Sequence, residues 1–139
     1  MNTRVVPARA CAADPTRVES PTTTYVGQRA ELAAARFLER RGLTTLARNY
    51  RTRYGEIDLV MRDDDATVFV EVRYRSDPSW VRAAETVTAQ KRRRIVLAAR
   101  AFLRAHPSCL ARPCRFDVVA IARPHYRVRY EWIRGAFDV

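Results

Sequence analysis

Two short runs, Gly55-Glu56-Ile57-Asp58-Leu59-Val60 and Val68-Phe69-Val70-Glu71-Val72-Arg73, have the apolar pattern of buried β-strands, yet both carry acidic residues. Between them Asp63-Asp64-Asp65 has turn chemistry, so the runs are expected to pair as an antiparallel hairpin with residues 63 to 66 as its loop. With Arg62 facing Thr67, that register sets Asp58 opposite Glu71 and Glu56 opposite Arg73. Ahead of the hairpin, Ala30, Ala33, Ala34, Phe37 and Leu38 recur at helical spacing opposite Arg29, Arg36, Glu39 and Arg40. They predict a helix from Tyr25 to Arg41 capped at its C-terminus by Gly42, followed by a strand over Leu43 to Tyr50. Behind the hairpin, Ile95, Ala98, Ala99, Phe102 and Leu103 form the stripe of a second helix, capped by Thr88 and ending near Ala105 before Pro107. Phe116 to Ile121 and Tyr126 to Ile133 read as two further strands. The order is α-β-β-β-α-β-β, an α/β class with a mixed sheet flanked by helices.

At 139 residues the chain fits one domain, expected over residues 25–139. Residues 1–24 mix arginines, prolines and threonines without an apolar h-region, which reads as a disordered basic tail rather than a secretory signal. Ser76 to Ala84 reads as a loop over the acidic runs, with Trp80 either a core plug or a stacking platform for a base.

Charge changes the picture more than length does. Lys and Arg number 26 against 15 Asp and Glu, a formal net charge of +11 carried almost entirely by arginine. Arginine suits bidentate phosphate contacts, so nucleic acid is the expected partner, and no apolar stretch is long enough to span a membrane. Cys11, Cys109 and Cys114 are an odd set without C-x₂-C spacing. They read as free thiols of a reducing cytoplasm, and with His106 and His125 beside prolines no zinc site is expected.

Like charges facing each other across two strands are destabilising, and a divalent cation such as Mg²⁺ would remove the conflict. The plain alternative is that Glu71 pairs with an arginine and Asp58 caps a turn. Glu31 sits at the edge of the first helix's apolar face, placed either toward the sheet or in solvent. Gln90, Lys91, Arg92, Arg93 and Arg94 open the second helix, where cations oppose the macrodipole unless an anion binds there. Arg48, Arg51 and Arg53 flank the entrance of the hairpin with more positive charge.

Tyr25-Val26-Gly27-Gln28-Arg29-Ala30-Glu31-Leu32-Ala33-Ala34, Arg48-Asn49-Tyr50-Arg51, Gly55-Glu56-Ile57-Asp58-Leu59, Phe69-Val70-Glu71-Val72-Arg73 with Arg75, Val87-Thr88 with Lys91, and Arg115-Phe116-Asp117-Val118 together resemble the YraN-like family of small bacterial proteins. The resemblance covers residues 25 to 139 and implies a restriction-endonuclease-like fold, similar to archaeal Holliday-junction resolvases. It makes Asp58 and Glu71 the carboxylates of a PD-(D/E)xK-type metal site, with Glu31 as a further ligand for Mg²⁺. DNA is then the implied partner, and a resolvase-like role would call for a homodimer. Where the family has a lysine two residues beyond the metal-binding glutamate, this chain has Arg73. An arginine can orient water or hold an oxyanion but is a poor general base, so the sequence supports nucleic-acid binding more firmly than endonuclease cleavage. A noncatalytic protein whose basic surface meets an acidic protein or RNA assembly is the alternative.

Overall fold

A computed structural model describes residues 21–75, 87–122 and 127–138, with residues 21–25 and 75 described by backbone course alone. Cys11, Trp80 with its loop, His125 and the tail through residue 20 lie outside the described residues. Helix α1 spans Pro21–Glu39, so it starts four residues before the expected Tyr25. Its end is a Schellman turn: Leu43 N–H reaches Leu38 O at 3.2 Å and Gly42 N–H reaches Glu39 O at 3.0 Å. Gly42 supplies the required positive φ of 95°, and Leu43 and Leu38 are both buried, completing the motif's apolar contact.

Strands β1 (Thr44–Thr52), β2 (Gly55–Asp63) and β3 (Ala66–Arg75) follow. Helix α2 (Ala89–Ala105), the single turn α3 (Pro107–Leu110), β4 (Cys114–Ala122) and β5 (Arg129–Phe137) complete the order. The five strands lie in sequence order in one sheet. Only the β3–β4 pair is parallel, and α2 is the crossover that such a pair requires. The hairpin keeps the expected Arg62–Thr67 pairing, but Asp63 pairs with Ala66, so its loop shrinks to Asp64 and Asp65. Asp64 takes φ 49°, a left-handed conformation that Asp tolerates.

Two apolar clusters show why the sheet is sandwiched. Ala30, Ala34, Ala35 and Leu38 of α1 pack with Leu59, Met61, Val68, Val70, Val119 and Ile121. Ile95, Ala98, Ala99 and Phe102 of α2 pack with Val60, Phe69, Phe116 and Val118. Successive strand residues alternate between these layers, which is why the strands read as nearly continuous apolar runs. Rings tie the second layer together: Phe69 meets Phe102 edge-on at 5.9 Å and stacks on Phe116 at 5.5 Å.

Within this core one acid is entirely buried. Asp117 receives Arg115 Nε at 2.8 Å, Arg115 Nη2 at 3.0 Å, Trp132 Nε1 at 2.9 Å and the Gly135 N–H at 3.0 Å. Arg115 also reaches Asp63 at 3.0 Å, tying β4 back to the hairpin. Such full pairing is what lets a carboxylate stay in a core.

Candidate active site

The β2–β3 ladder runs from the hairpin loop to Leu59–Val70 and stops there. Beyond that point β2 continues on β1 as far as Gly55, and β3 continues on β4 as far as Arg75. The two strands diverge immediately before Asp58 and Glu71. Where the next ladder bond would fall, Asp58 Oδ2 accepts the Val72 N–H at 2.8 Å. The expected nearness of Asp58 and Glu71 is found in the lining of one cavity, although the ladder ends one pair before they would face each other. The expected Glu56–Arg73 pairing is not: Glu56 faces Arg51 on β1, with their charges 3.5 Å apart, and Arg73 faces Ala120 on β4.

Gly27, Ala30 and Glu31 of α1, Asp58 of β2, Glu71, Val72, Arg73 and Tyr74 of β3, and Lys91 of α2 line one open cavity of about 230 Å³. Both helical layers thus contribute to it at the place where the sheet opens. Glu71 is only 4% exposed, and its Oε1 takes Lys91 Nζ at 2.5 Å and Arg73 Nε at 3.4 Å. Thr88 caps α2 as expected, its hydroxyl accepting the Lys91 N–H at 3.2 Å, so the cap fixes the residue whose side chain reaches Glu71.

The electrostatics are those of carboxylates deprived of water. Burial pushes the Asp58 carboxyl up to about 8, with the charges of Glu71 and Glu31 adding to the shift and the Val72 N–H and Lys91 opposing it. Glu31 is raised as well, first by burial and then by Glu56 and Glu71, while a hydrogen bond from Asn49 holds it back. Glu31 Oε2 is buried with no hydrogen-bond partner. A buried, orphaned carboxylate oxygen beside two other carboxylates suits a hard divalent cation, which Glu31, Asp58 and Glu71 could hold. Among the described residues no three Asp, Glu, His or Cys side chains already converge tightly enough to hold a metal ion. Glu71 Oε1 is turned to Lys91 and Arg73.

Of the residues expected from sequence, the cavity gathers Glu31, Asp58, Glu71, Arg73 and Lys91. Lys91, expected with its neighbours to meet an anion at the start of the second helix, points into the carboxylates. Arg48, Arg51, Arg53, Gln90, Arg93 and Arg94 are exposed and outside the lining. Arg51 still acts on Glu31 through its charge, and Arg53 donates to its neighbour Tyr54. Arg92 is half-buried, donating to Val87 O at 3.1 Å and lying 5.4 Å from the Phe137 ring centroid.

Asn49 is the site residue that the sequence pattern did not expose. The β1–β2 register, Arg48 with Leu59 and Tyr50 with Ile57, puts Asn49 opposite Asp58, and its backbone has φ 49°. Its one sequence signal was an asparagine, a poor strand former, inside a strand. Cys109 and Cys114 are free thiols, as expected. His106 caps α2, its Nδ1 2.8 Å from Phe102 O, and is not part of a metal cluster.

Residues 30–121 match the uncharacterised protein family UPF0102. The chain is 47% identical to a UPF0102 protein of Stutzerimonas stutzeri over 81% of its own length and 93% of the relative's. It is 49% identical to one of Nitrosomonas europaea over 81% and 92%, and 48% identical to one of Ectopseudomonas mendocina over 81% and 94%. The YraN-like resemblance read from the motifs is to this same family. No helix among the described residues is long and apolar enough to cross a membrane.

Proposed function

Because the chain belongs to the UPF0102 family, whose description names no activity, the chemistry has to be argued from the cavity, and we propose that the protein binds nucleic acid and hydrolyses a phosphodiester there with Mg²⁺. The observation that carries this reading is the set of three carboxylates at the open end of β2 and β3, Glu71 buried and Asp58 and Glu31 partly buried with raised pKa values. Folding carboxylates into such a place is unfavourable unless a cation joins them. Mg²⁺ bound there would polarise the scissile phosphate and activate a water.

The chain's own side chains supply the rest. Glu31, Asp58 and Glu71 offer oxygen donors from α1, β2 and β3. Arg73 lines the same cavity, and its guanidinium would meet a phosphate oxygen bound there. The exposed arginines at positions 48, 51, 53, 93 and 94 would hold the backbone of the nucleic acid, giving affinity without sequence choice. Paired cuts at a four-way junction would need a homodimer.

A second reading, a binding protein that retains the architecture without cleavage, is favoured by one observation: Glu71 already has Lys91 and Arg73 as counter-ions. The test is incubation of the full chain with duplex, single-stranded and four-way-junction DNA in Mg²⁺ or Mn²⁺, beside Asp58→Ala, with binding followed in parallel. Cleavage by the wild type that falls at least about 100-fold in the variant is expected. Binding without cleavage by the wild type would give the second reading, and a protein partner with no DNA binding would overturn both.

A further inference from the structure

Lys91 is the only lysine in the sequence; the other 25 of its 26 basic residues are arginine. A chain that meets every other need for positive charge with arginine keeps its single ammonium at one position. That position is inside the carboxylate cavity, with Nζ 2.5 Å from Glu71 Oε1. Arg93 and Arg94 on the same helical turn are exposed and outside the lining, so generic attraction of phosphate at this helix start is already served by guanidinium groups.

We infer that Lys91, reaching in from α2, is the catalytic lysine of this site and supplies the ammonium that position 73 on β3 does not. The inference rests on the phosphodiester reading above and assigns that reaction a residue. An ammonium is a compact point charge with three donors that can each turn to a partner, whereas a guanidinium is a rigid planar fork. One Lys91 N–H is taken by Glu71, leaving two for the attacking water and a nonbridging phosphoryl oxygen. In the step, the water oxygen bonds to phosphorus and the P–O bond to the leaving oxygen breaks with its electron pair. The water's proton passes to solvent, and the leaving oxygen takes one from solvent. Lys91 stays an ammonium throughout, holding the water in line and countering charge on the phosphoryl oxygens.

The placement of Lys91 has structural support on both sides. The Thr88 hydroxyl fixes its backbone N–H, and Glu71 holds its side chain against β3. Arg73 Nε lies 3.4 Å from the same Glu71 oxygen, so the guanidinium of β3 and the tip of Lys91 converge on one atom.

The test uses Lys91→Arg, which leaves net charge unchanged and the chain free of lysine, alongside Glu71→Gln. Lys91→Arg is expected to keep the thermal midpoint and DNA affinity of the wild type while cleavage falls about 100-fold or more, the scale of losing one transition-state donor. A readout independent of turnover comes from amine acetylation followed by peptide mass spectrometry, which reports on Lys91 as the only side-chain amine. Modification is expected to be several-fold slower in the wild type than in Glu71→Gln, where the ion pair is lost. Equal acetylation rates would overturn the inference. So would wild-type cleavage undiminished in Lys91→Arg, which leaves the phosphodiester reading standing. No cleavage by the wild type with any metal or substrate would overturn both together.

Discussion

Asp58 Oδ2 accepts the Val72 N–H at 2.8 Å, at the step where β2 and β3 separate, so one side chain both ends a ladder and shares a cavity with Glu71. Its two roles oppose each other energetically. The hydrogen bond stabilises the sheet, while the buried charge beside Glu71 and Glu31 destabilises it. Asp58→Asn keeps an acceptor for Val72 and removes the charge, whereas Asp58→Ala removes both. In metal-free solution at pH 8, Asp58→Asn is expected to be more stable than the wild type. Asp58→Ala should fall below Asp58→Asn by about 1–3 kcal/mol, the cost of an orphaned buried N–H. Urea denaturation of the three proteins measures both differences.

The same carboxyl makes stability depend on pH. Its ordinary value of 3.8 is raised to about 8 in the fold, so folding takes up a proton between those limits. Stability conferred with that proton is full below the lower value and is lost as pH rises toward the upper one. The slope is at most about 1.4 kcal/mol per pH unit for one proton. Metal-free protein is therefore expected to lose thermal stability from pH 5 to pH 8, and Asp58→Asn to flatten the profile. Mn²⁺ should raise the midpoint more at pH 8 than at pH 5.5, since the cation binds the deprotonated site.

Asn49 is held at φ 49° opposite Asp58 and supplies the hydrogen bond that keeps the Glu31 carboxyl from rising further. Glycine adopts that backbone freely, whereas a β-branched residue does not. Asn49→Gly should retain the fold with a loss below about 1 kcal/mol, while Asn49→Val should lose about 1–3 kcal/mol. Both remove the amide from Glu31, so both should weaken Mn²⁺ binding at pH 7 by calorimetry. Full metal affinity in Asn49→Gly would show that the amide serves the backbone alone.

These residues also mark what the sequence could and could not reveal. The hairpin, the Thr88 cap, the Gly42 terminator and both helix stripes were legible because local chemistry and periodicity specify them. The Asp58–Glu71 approach followed from alternation once the turn was placed. The inward reach of Lys91 was not legible, since a run of four cations gives no sign of which one turns toward the sheet. Nor was the role of Asp117, an acid within the Arg115-Phe116-Asp117-Val118 motif that resembles a site residue in sequence. Its four donors come from β4 and β5, and only the folded register brings Trp132 and Gly135 to it. Asp117→Ala is accordingly expected to cost at least about 1–3 kcal/mol by leaving the Trp132 and Gly135 N–H groups without their acceptor, while Arg115 keeps Asp63. DNA binding per folded molecule should stay unchanged.

The basic surface separates from the cavity in its response to salt. Each phosphate neutralised by an arginine releases condensed counterions, so the logarithm of affinity falls linearly with the logarithm of salt concentration. Arg93 and Arg94 are exposed on the first turns of α2 and outside the carboxylate lining. The double substitution Arg93→Ala with Arg94→Ala should weaken binding to every sequence alike and reduce the slope by about 2 on duplex DNA. Asp58→Ala should leave that slope unchanged, because it removes no cation. Fluorescence anisotropy titrations across several salt concentrations measure both. An unchanged slope in the double variant would move the nucleic-acid path off the start of α2 and toward Arg48, Arg51 and Arg53.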